Sequence, residues 1–136
     1  AEWSMMEASD LFIGGCSAGG LAAYISADWW RDSMPASTFV AAMGHAGFFP
    51  DWMETSRRGR GDPEPFGTRL RNLVKHFNLT GSLNADCVQS KVSGSDDVSD
   101  CIFPQHMIPF IKIPVFLSNS RFDFWQLLHV LGADGP

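Results

Sequence analysis

Residues 15–19 read Gly-Cys-Ser-Ala-Gly, a G-x-S-x-G pattern with the apolar run Leu11-Phe12-Ile13 before it and a helical pattern after it. No other feature constrains the fold as much. A sharp strand-to-helix turn that lifts a Ser hydroxyl clear of a sheet leaves room only for small residues two before and two after the Ser. The spacing predicts Ser17 as a nucleophile, with the Ala18 N–H at the helix amino terminus as an oxyanion donor. Two other readings stay open at this point: a Gly-rich turn that binds phosphate or only packs, and Cys16 as the nucleophile. Cys16 sits beside the apex, so a buried or paired thiol is expected there.

Strands and helices alternate around this turn. Residues 11–13, closed by Gly14-Gly15, read as a buried strand, and Leu21, Tyr24, Ile25 and Trp29 continue at helical spacing until Pro35 forbids more. Residues 38–43, closed by Gly44, give a second strand, and residues 113–117 a third, buried one. Leu70, Leu73, Val74 and Phe77 fall at i, i+3, i+4 and i+7, which predicts a helix with one apolar face and Thr68 as its cap. A last helix is marked by Phe124, Leu127, Leu128 and Leu131, and residues 56–67 and 80–100 read as loops. The alternation predicts an α/β layered fold with a mainly parallel sheet. With 136 residues, 45% of them apolar, the chain suits one domain or a large piece of one.

A catalytic Ser needs an imidazole, and the imidazole needs a carboxylate to hold its tautomer. In elbow-type hydrolases the chain order is Ser, acid, His. Asp123, after the third strand and the turn Asn119-Ser120-Arg121, fits the acid; the competing reading is a helix N-cap. His45, His76 and His106 precede Asp123 and break the order. His129 follows by only six residues, about 120° away on a shared helix, and reads as a solvated surface His. The base is expected beyond Pro136.

Composition excludes several classes. A net charge of −5 argues against a nucleic-acid binder driven by phosphate neutralisation. Three Cys and four His show no zinc spacing, so no metal is expected. Residues 11–27 form a charge-free run at the lower limit of a membrane span, but their Gly density fits a tight turn better, and no span is expected. Arg57, Arg58, Arg60, Arg69, Arg71 and Lys75 leave residues 57–75 at +4 and the rest of the chain at −9. That cluster reads as a solvated loop and polar helix face; the sharper reading is a patch that attracts an anionic polymer. Asn78-Leu79-Thr80 is a glycosylation acceptor pattern, consistent with secretion.

With these residues in hand, the sequence resembles the pectin acetylesterase/Notum family of carboxylesterases. The resemblance is carried by residues 11–22 (Leu-Phe-Ile-Gly-Gly-Cys-Ser-Ala-Gly-Gly-Leu-Ala), 46–51 (Ala-Gly-Phe-Phe-Pro-Asp), 101–105 (Cys-Ile-Phe-Pro-Gln) and 111–126, which ends Asn-Ser-Arg-Phe-Asp-Phe-Trp-Gln. It implies an α/β-hydrolase fold, with residues 1–136 as the central part of a single catalytic domain, probed at Ser17 as nucleophile and Asp123 as triad acid, without metal or organic cofactor. The implied partner is an acylated polysaccharide or another ester substrate; no nucleic acid and no membrane span are expected. Cys87 and Cys101 resemble a pair that the family bridges; closing such a loop contributes about 3 kcal/mol in the chain-entropy model. The pair and the acceptor pattern imply an extracellular, cell-wall setting.

Three departures bear on the site. The family's upstream Gly-Gly-Trp-Cys-type segment, which completes the oxyanion hole, and its triad His are both expected outside these residues, so the segment by itself is expected to be inactive. An Asp usually precedes the Ala-Gly-Phe-Phe segment, where this chain has His45. The expected reaction is removal of acetyl groups from a pectin-type polysaccharide through a serine acyl-enzyme. The alternatives are Notum-like deacylation of a lipid-modified protein and a non-catalytic, degenerate fragment.

Overall fold

Three parallel strands form the frame of the computed structural model, which describes residues 4–52 and 64–132. They are β1 (Asp10–Cys16), β2 (Phe39–His45) and β3 (Val115–Ser118), hydrogen-bonded in the order β1-β2-β3. Parallel neighbours need long crossovers. Helices α1 (Ala18–Ile25) and α2 (Ala27–Ser33) fill the first, and α3 (Phe66–His76), α4 (Ala85–Gly94) and α5 (Pro104–Met107) lie in the second. Helix α6 (Phe124–His129) follows β3. Cys16 pairs with His45, and His45 with Ser118, so the carboxyl ends of all three strands finish in line. The expected α/β layering with a parallel sheet is what the chain adopts.

The outer strands, expected to be buried, are not; the central strand is. Val40, Ala41 and Ala42 of β2 lie inside, whereas β1 alternates exposed and half-buried residues and Phe116 and Leu117 of β3 are exposed. The reason is coverage: Leu11, Ile13 and Val115 pack with Ala27, Val40 and Ala42, while Phe12 on the opposite pleat is exposed. Gly14, Gly15 and Gly44 lie within strands rather than closing them. At Gly44 the Tyr24 ring rests on the strand and its hydroxyl donates to the Gly44 carbonyl at 2.9 Å, leaving no space for a side chain.

The single helix expected after Ser17 is two. At Ser26 the backbone N–H and the hydroxyl both donate to the Ala22 carbonyl, at 3.0 and 2.8 Å, and the chain restarts as α2. Arg31 then ties off α2 by donating to the carbonyls of Thr38, Met34 and Pro35.

Helix α3 begins at Phe66, so Phe66 and Gly67 are not loop, and its N-cap is Pro65 rather than Thr68. Its inward stripe is rotated from the expected one. Gly67 and Val74 are buried with the Arg71 side chain between them, whereas Leu73 and Phe77 are exposed. Ion pairs of Arg71 draw that face inward.

Residues 80–100, expected as a loop, hold α4 between two 3-10 turns, Leu79–Ser82 and Val98–Ile102. The polar composition hid the helix. Asn84 caps it by accepting from Cys87 N at 3.0 Å, and Cys87 is its one fully buried residue, with Val88 packed against the same core. The Cys87–Cys101 disulfide is formed, and it sits among Val74, Leu83, Ile102 and Phe103 at the centre of the second core.

Candidate active site

Ser17 occupies the turn between β1 and α1 with φ 56° and ψ −124°, a backbone conformation that L-residues with a Cβ rarely adopt. Such a residue costs about 1–3 kcal/mol and persists only where its surroundings fix it. Here Ser17 N–H donates to the His45 carbonyl at 2.8 Å, and the Ser17 carbonyl accepts from Gly20 N at 2.9 Å and Leu21 N at 3.1 Å. The side chain is exposed at the apex. Ala18 is the first residue of α1, so its N–H belongs to the donors a helix leaves without an internal acceptor.

The small-residue requirement is met, though not at the two expected positions. A Cβ on Gly15 would lie 2.2 Å from the Gly19 carbonyl oxygen, so the position two before Ser17 admits only glycine. A Cβ on Gly19 would meet nothing within 4 Å. The second tight crossing is instead between Gly20 and Gly47, where a Cβ on Gly47 would lie 2.6 Å from the Gly20 carbonyl carbon. Cys16, expected to be buried or paired, is an exposed free thiol among the described residues, because the β1 alternation turns it to the uncovered face.

Asp123 stands at the same edge of the sheet as Ser17. Both follow the carboxyl ends of parallel strands with β2 between them, and two strand spacings put the Cys16 and Ser118 backbones about 10 Å apart. Asp123 caps α6, its Oδ1 accepting from Gln126 N at 3.0 Å. Oδ2 has no hydrogen-bond partner among the described residues. Capping and an acid role are therefore compatible, since each uses a different oxygen.

Gln126 reaches in the other direction as well. Its side-chain Nε2 donates to the Phe48 carbonyl at 2.8 Å, Phe48 N donates to Asn119 Oδ1 at 3.2 Å, and Ala46 N donates to the Ser118 carbonyl at 2.7 Å. Phe49, Phe66 and Trp125 close the same corner, with ring centroids 5.6–5.8 Å apart. Residues 46–52 are pinned at their far end too. Asp51 N donates to Gln105 Oε1 at 2.8 Å, and Asp51 Oδ2 accepts from Arg71 at 2.5 Å and lies 3.0 Å from His106 Nε2. Partial burial alone would raise the Asp51 carboxyl; hydrogen bonds and charge from Arg71 and His106 outweigh it and hold it below the ordinary value. Sequence reasoning missed these ties. Their signal is that Phe48, Asp51, Gln105, Asn119 and Gln126 all fall in the segments that carry the family resemblance.

No contact among the described residues joins an imidazole ring to Ser17 or to the Asp123 carboxylate. His45 Nδ1 lies 3.1 Å from Ser118 Oγ, His106 binds Asp51, and His76 packs against Phe77. His129 is half-buried, its ring centroid 4.9 Å from that of Trp125, rather than solvated on the surface. No group of three or more His, Cys, Asp or Glu is placed to hold a metal among the described residues. Among the same residues no helix is long and apolar enough to cross a membrane.

In the described part of the basic cluster, Arg71 and Lys75 are paired with carboxylates. Arg71, largely buried, bridges Asp51 and Asp100, whereas Lys75 stays exposed and pairs with Asp97 at 2.6 Å. Arg57, Arg58 and Arg60 lie outside the described residues. A cavity of about 660 Å³ opens elsewhere, lined by Asp28, Trp29, Asp32, Asn84, Asp86 and Lys112 on the side where the chain enters β3. Asp28 there accepts from Asn84 Nδ2 at 2.8 Å and Lys112 N at 2.9 Å, which joins α2 to the two segments around it.

This arrangement has known counterparts. The chain is 35% identical to pectin acetylesterase 5 of Arabidopsis thaliana over 93% of its own length and 27% of the relative's. It is 31% identical to pectin acetylesterase 4 of the same plant, over 97% of the chain and 30% of the relative. It thus spans under a third of the length of these relatives. A solved structure of the Wnt deacylase Notum from Drosophila superposes with a TM-score of 0.63 at 21% identity, covering 79% of this chain and 30% of that one. The shared fold is α/β-hydrolase-like. A family model described as Pectinacetylesterase matches residues 1–135, and the chain belongs to that family.

Proposed function

We propose that these residues are the central part of the single catalytic domain of a serine carboxylesterase, in which Ser17 is the nucleophile and Asp123 the triad acid. The observation that carries this reading is the strained Ser17 at the carboxyl edge of the sheet, with Asp123 on the same edge and its Oδ2 unengaged. Ser17 Oγ attacks the ester carbonyl while a histidine outside the 136 residues takes its proton. Ala18 N–H donates to the oxyanion, the alcohol leaves with the proton, and water then cleaves the acyl-enzyme. Asp123 Oδ2 holds the imidazole in the tautomer that accepts from Ser17.

The substrate class we infer is acetyl ester on a pectin-type cell-wall polysaccharide, because the relatives at 35% and 31% identity are pectin acetylesterases. An extracellular setting follows from the same kinship and is supported by the Cys87–Cys101 disulfide. Deacylation of a lipid-modified protein is the second reading, motivated by the fold shared with Notum. The test is acetate release from acetylated pectin by the complete protein. The reading predicts turnover that Ser17→Ala reduces by about a thousandfold or more. Faster cleavage of long-chain acyl esters than of acetyl esters would move the assignment to the second reading.

A further inference from the structure

We propose that Asn78 carries an N-linked glycan, whose first sugar lies over the exposed rings and side chains at the end of α3. Asn78 follows Phe77 directly, is exposed, and adopts the left-handed conformation at φ 52° and ψ 47°. Asparagine tolerates this conformation better than most residues with a side chain. Its side-chain amide makes no hydrogen bond among the described residues, so Nδ2 is not held by the fold. Leu79 is not proline and Thr80 completes the acceptor pattern.

Two further observations make the site more than a sequence match. The first is the apolar surface beside it: Phe77 is 65% and Leu73 42% exposed, on the face of α3 turned away from its buried residues. A sugar ring stacked on Phe77 would cover surface that the helix leaves bare. The second is the Cys87–Cys101 disulfide, which marks an oxidising compartment of the kind in which such glycans are added. Modification here is also compatible with the proposed catalysis. The amino end of α3, Phe66, touches Trp125 near Asp123, with ring centroids 5.8 Å apart. Asn78 lies beyond the other end of this 11-residue helix, about 16 Å further along.

Transfer forms a bond from Asn78 Nδ2 to the anomeric carbon of an oligosaccharide held on a lipid diphosphate. The carbon–oxygen bond to the diphosphate breaks, lipid diphosphate leaves, and the amide gives up one proton. The inference rests on the secretory setting and not on the esterase reading.

The experiment is secretion of the complete protein from insect cells, followed by treatment with a peptide:N-glycosidase and peptide mapping. The glycosidase converts an occupied acceptor to Asp, so the expected result is Asp at position 78 in the treated sample. Asn78→Gln and Thr80→Ala should each abolish that conversion and leave acetate release unchanged. An unmodified Asn78 peptide from secreted protein would overturn the proposal. If the same map shows Cys87 joined to Cys101, the secretory reading stands while the glycan assignment falls.

Discussion

Gln126 donates its side-chain amide to the Phe48 carbonyl at 2.8 Å while its own backbone N–H donates to Asp123 Oδ1 at 3.0 Å. One residue thus orients the proposed acid and ties it to the loop after β2. Gln126→Ala leaves the Phe48 carbonyl without this donor, which costs about 1–3 kcal/mol of stability. The backbone cap on Asp123 persists in the variant, but the helix bearing it is freer to shift. We expect kcat for acetate release to fall about tenfold with little change in KM. An unchanged kcat alongside lowered thermal stability would assign Gln126 to folding alone.

The three glycines around the elbow should respond differently to alanine. A methyl group at Gly15 or Gly47 must push backbone aside, and both variants should fail to give folded, active protein. Gly19 has open space and lies in α1, where alanine is favoured over glycine by about 1 kcal/mol. Gly19→Ala is expected to keep its thermal midpoint or raise it by a few degrees. Equal loss in all three variants, read by circular dichroism and activity, would show that the G-x-S-x-G spacing is not set by these crossings.

His45 ends β2 between the strands that carry Ser17 and lead to Asp123, and its ring engages Ser118. The base in this account lies elsewhere in the protein. His45→Asn should therefore leave kcat/KM within about threefold of wild type. A loss of about a thousandfold, the scale of removing a triad member, would make His45 the base.

Acid should weaken the contact between α3 and the Val98–Ile102 turn. Partial burial would raise the Asp97 carboxyl, but hydrogen bonds from Lys75 and from the hydroxyl and N–H of Ser99 outweigh it and lower it to about 2. A carboxyl lowered on folding stabilises the folded state above its unfolded value of 3.8, and that contribution is lost as pH falls from there through about 2. Asp51, held low by Arg71 and His106, acts in the same direction. Thermal midpoints measured at pH 6 and pH 3 should differ less in Asp97→Asn than in wild type. The same difference in both proteins would exclude Asp97 from the acid response.

Local pattern made some of this legible in the sequence and hid the rest. The strand-to-helix turn at Ser17 was readable because one of its backbone crossings, Gly15 on Gly19, joins residues close in sequence. The parallel sheet was readable from the alternation of elements. The α4 helix was not, because half of its residues are polar and its one fully buried residue is a disulfide cysteine. The turned stripe of α3 was hidden for a related reason: periodicity counts Leu73 and Phe77 as core, whereas partners distant in sequence, Asp51 and Asp100, draw Arg71 inward. The burial expected for β1 and β3 was read from apolar runs alone, and runs carry no information about which face a helix covers. The ties of Phe48, Asn119 and Gln126 join residues about 70–80 apart. No spacing rule reaches that far.

The central claim is that Ser17 forms the acyl-enzyme, and covalent labelling tests it most directly. The complete protein would be treated with an organophosphonate probe that reacts with activated serines, then digested and mapped by mass spectrometry. The account predicts label on Ser17, with loss of acetate release in proportion to labelling, and no label in Ser17→Ala. Full inhibition with an unlabelled Ser17 peptide, or undiminished acetate release by Ser17→Ala, would contradict it.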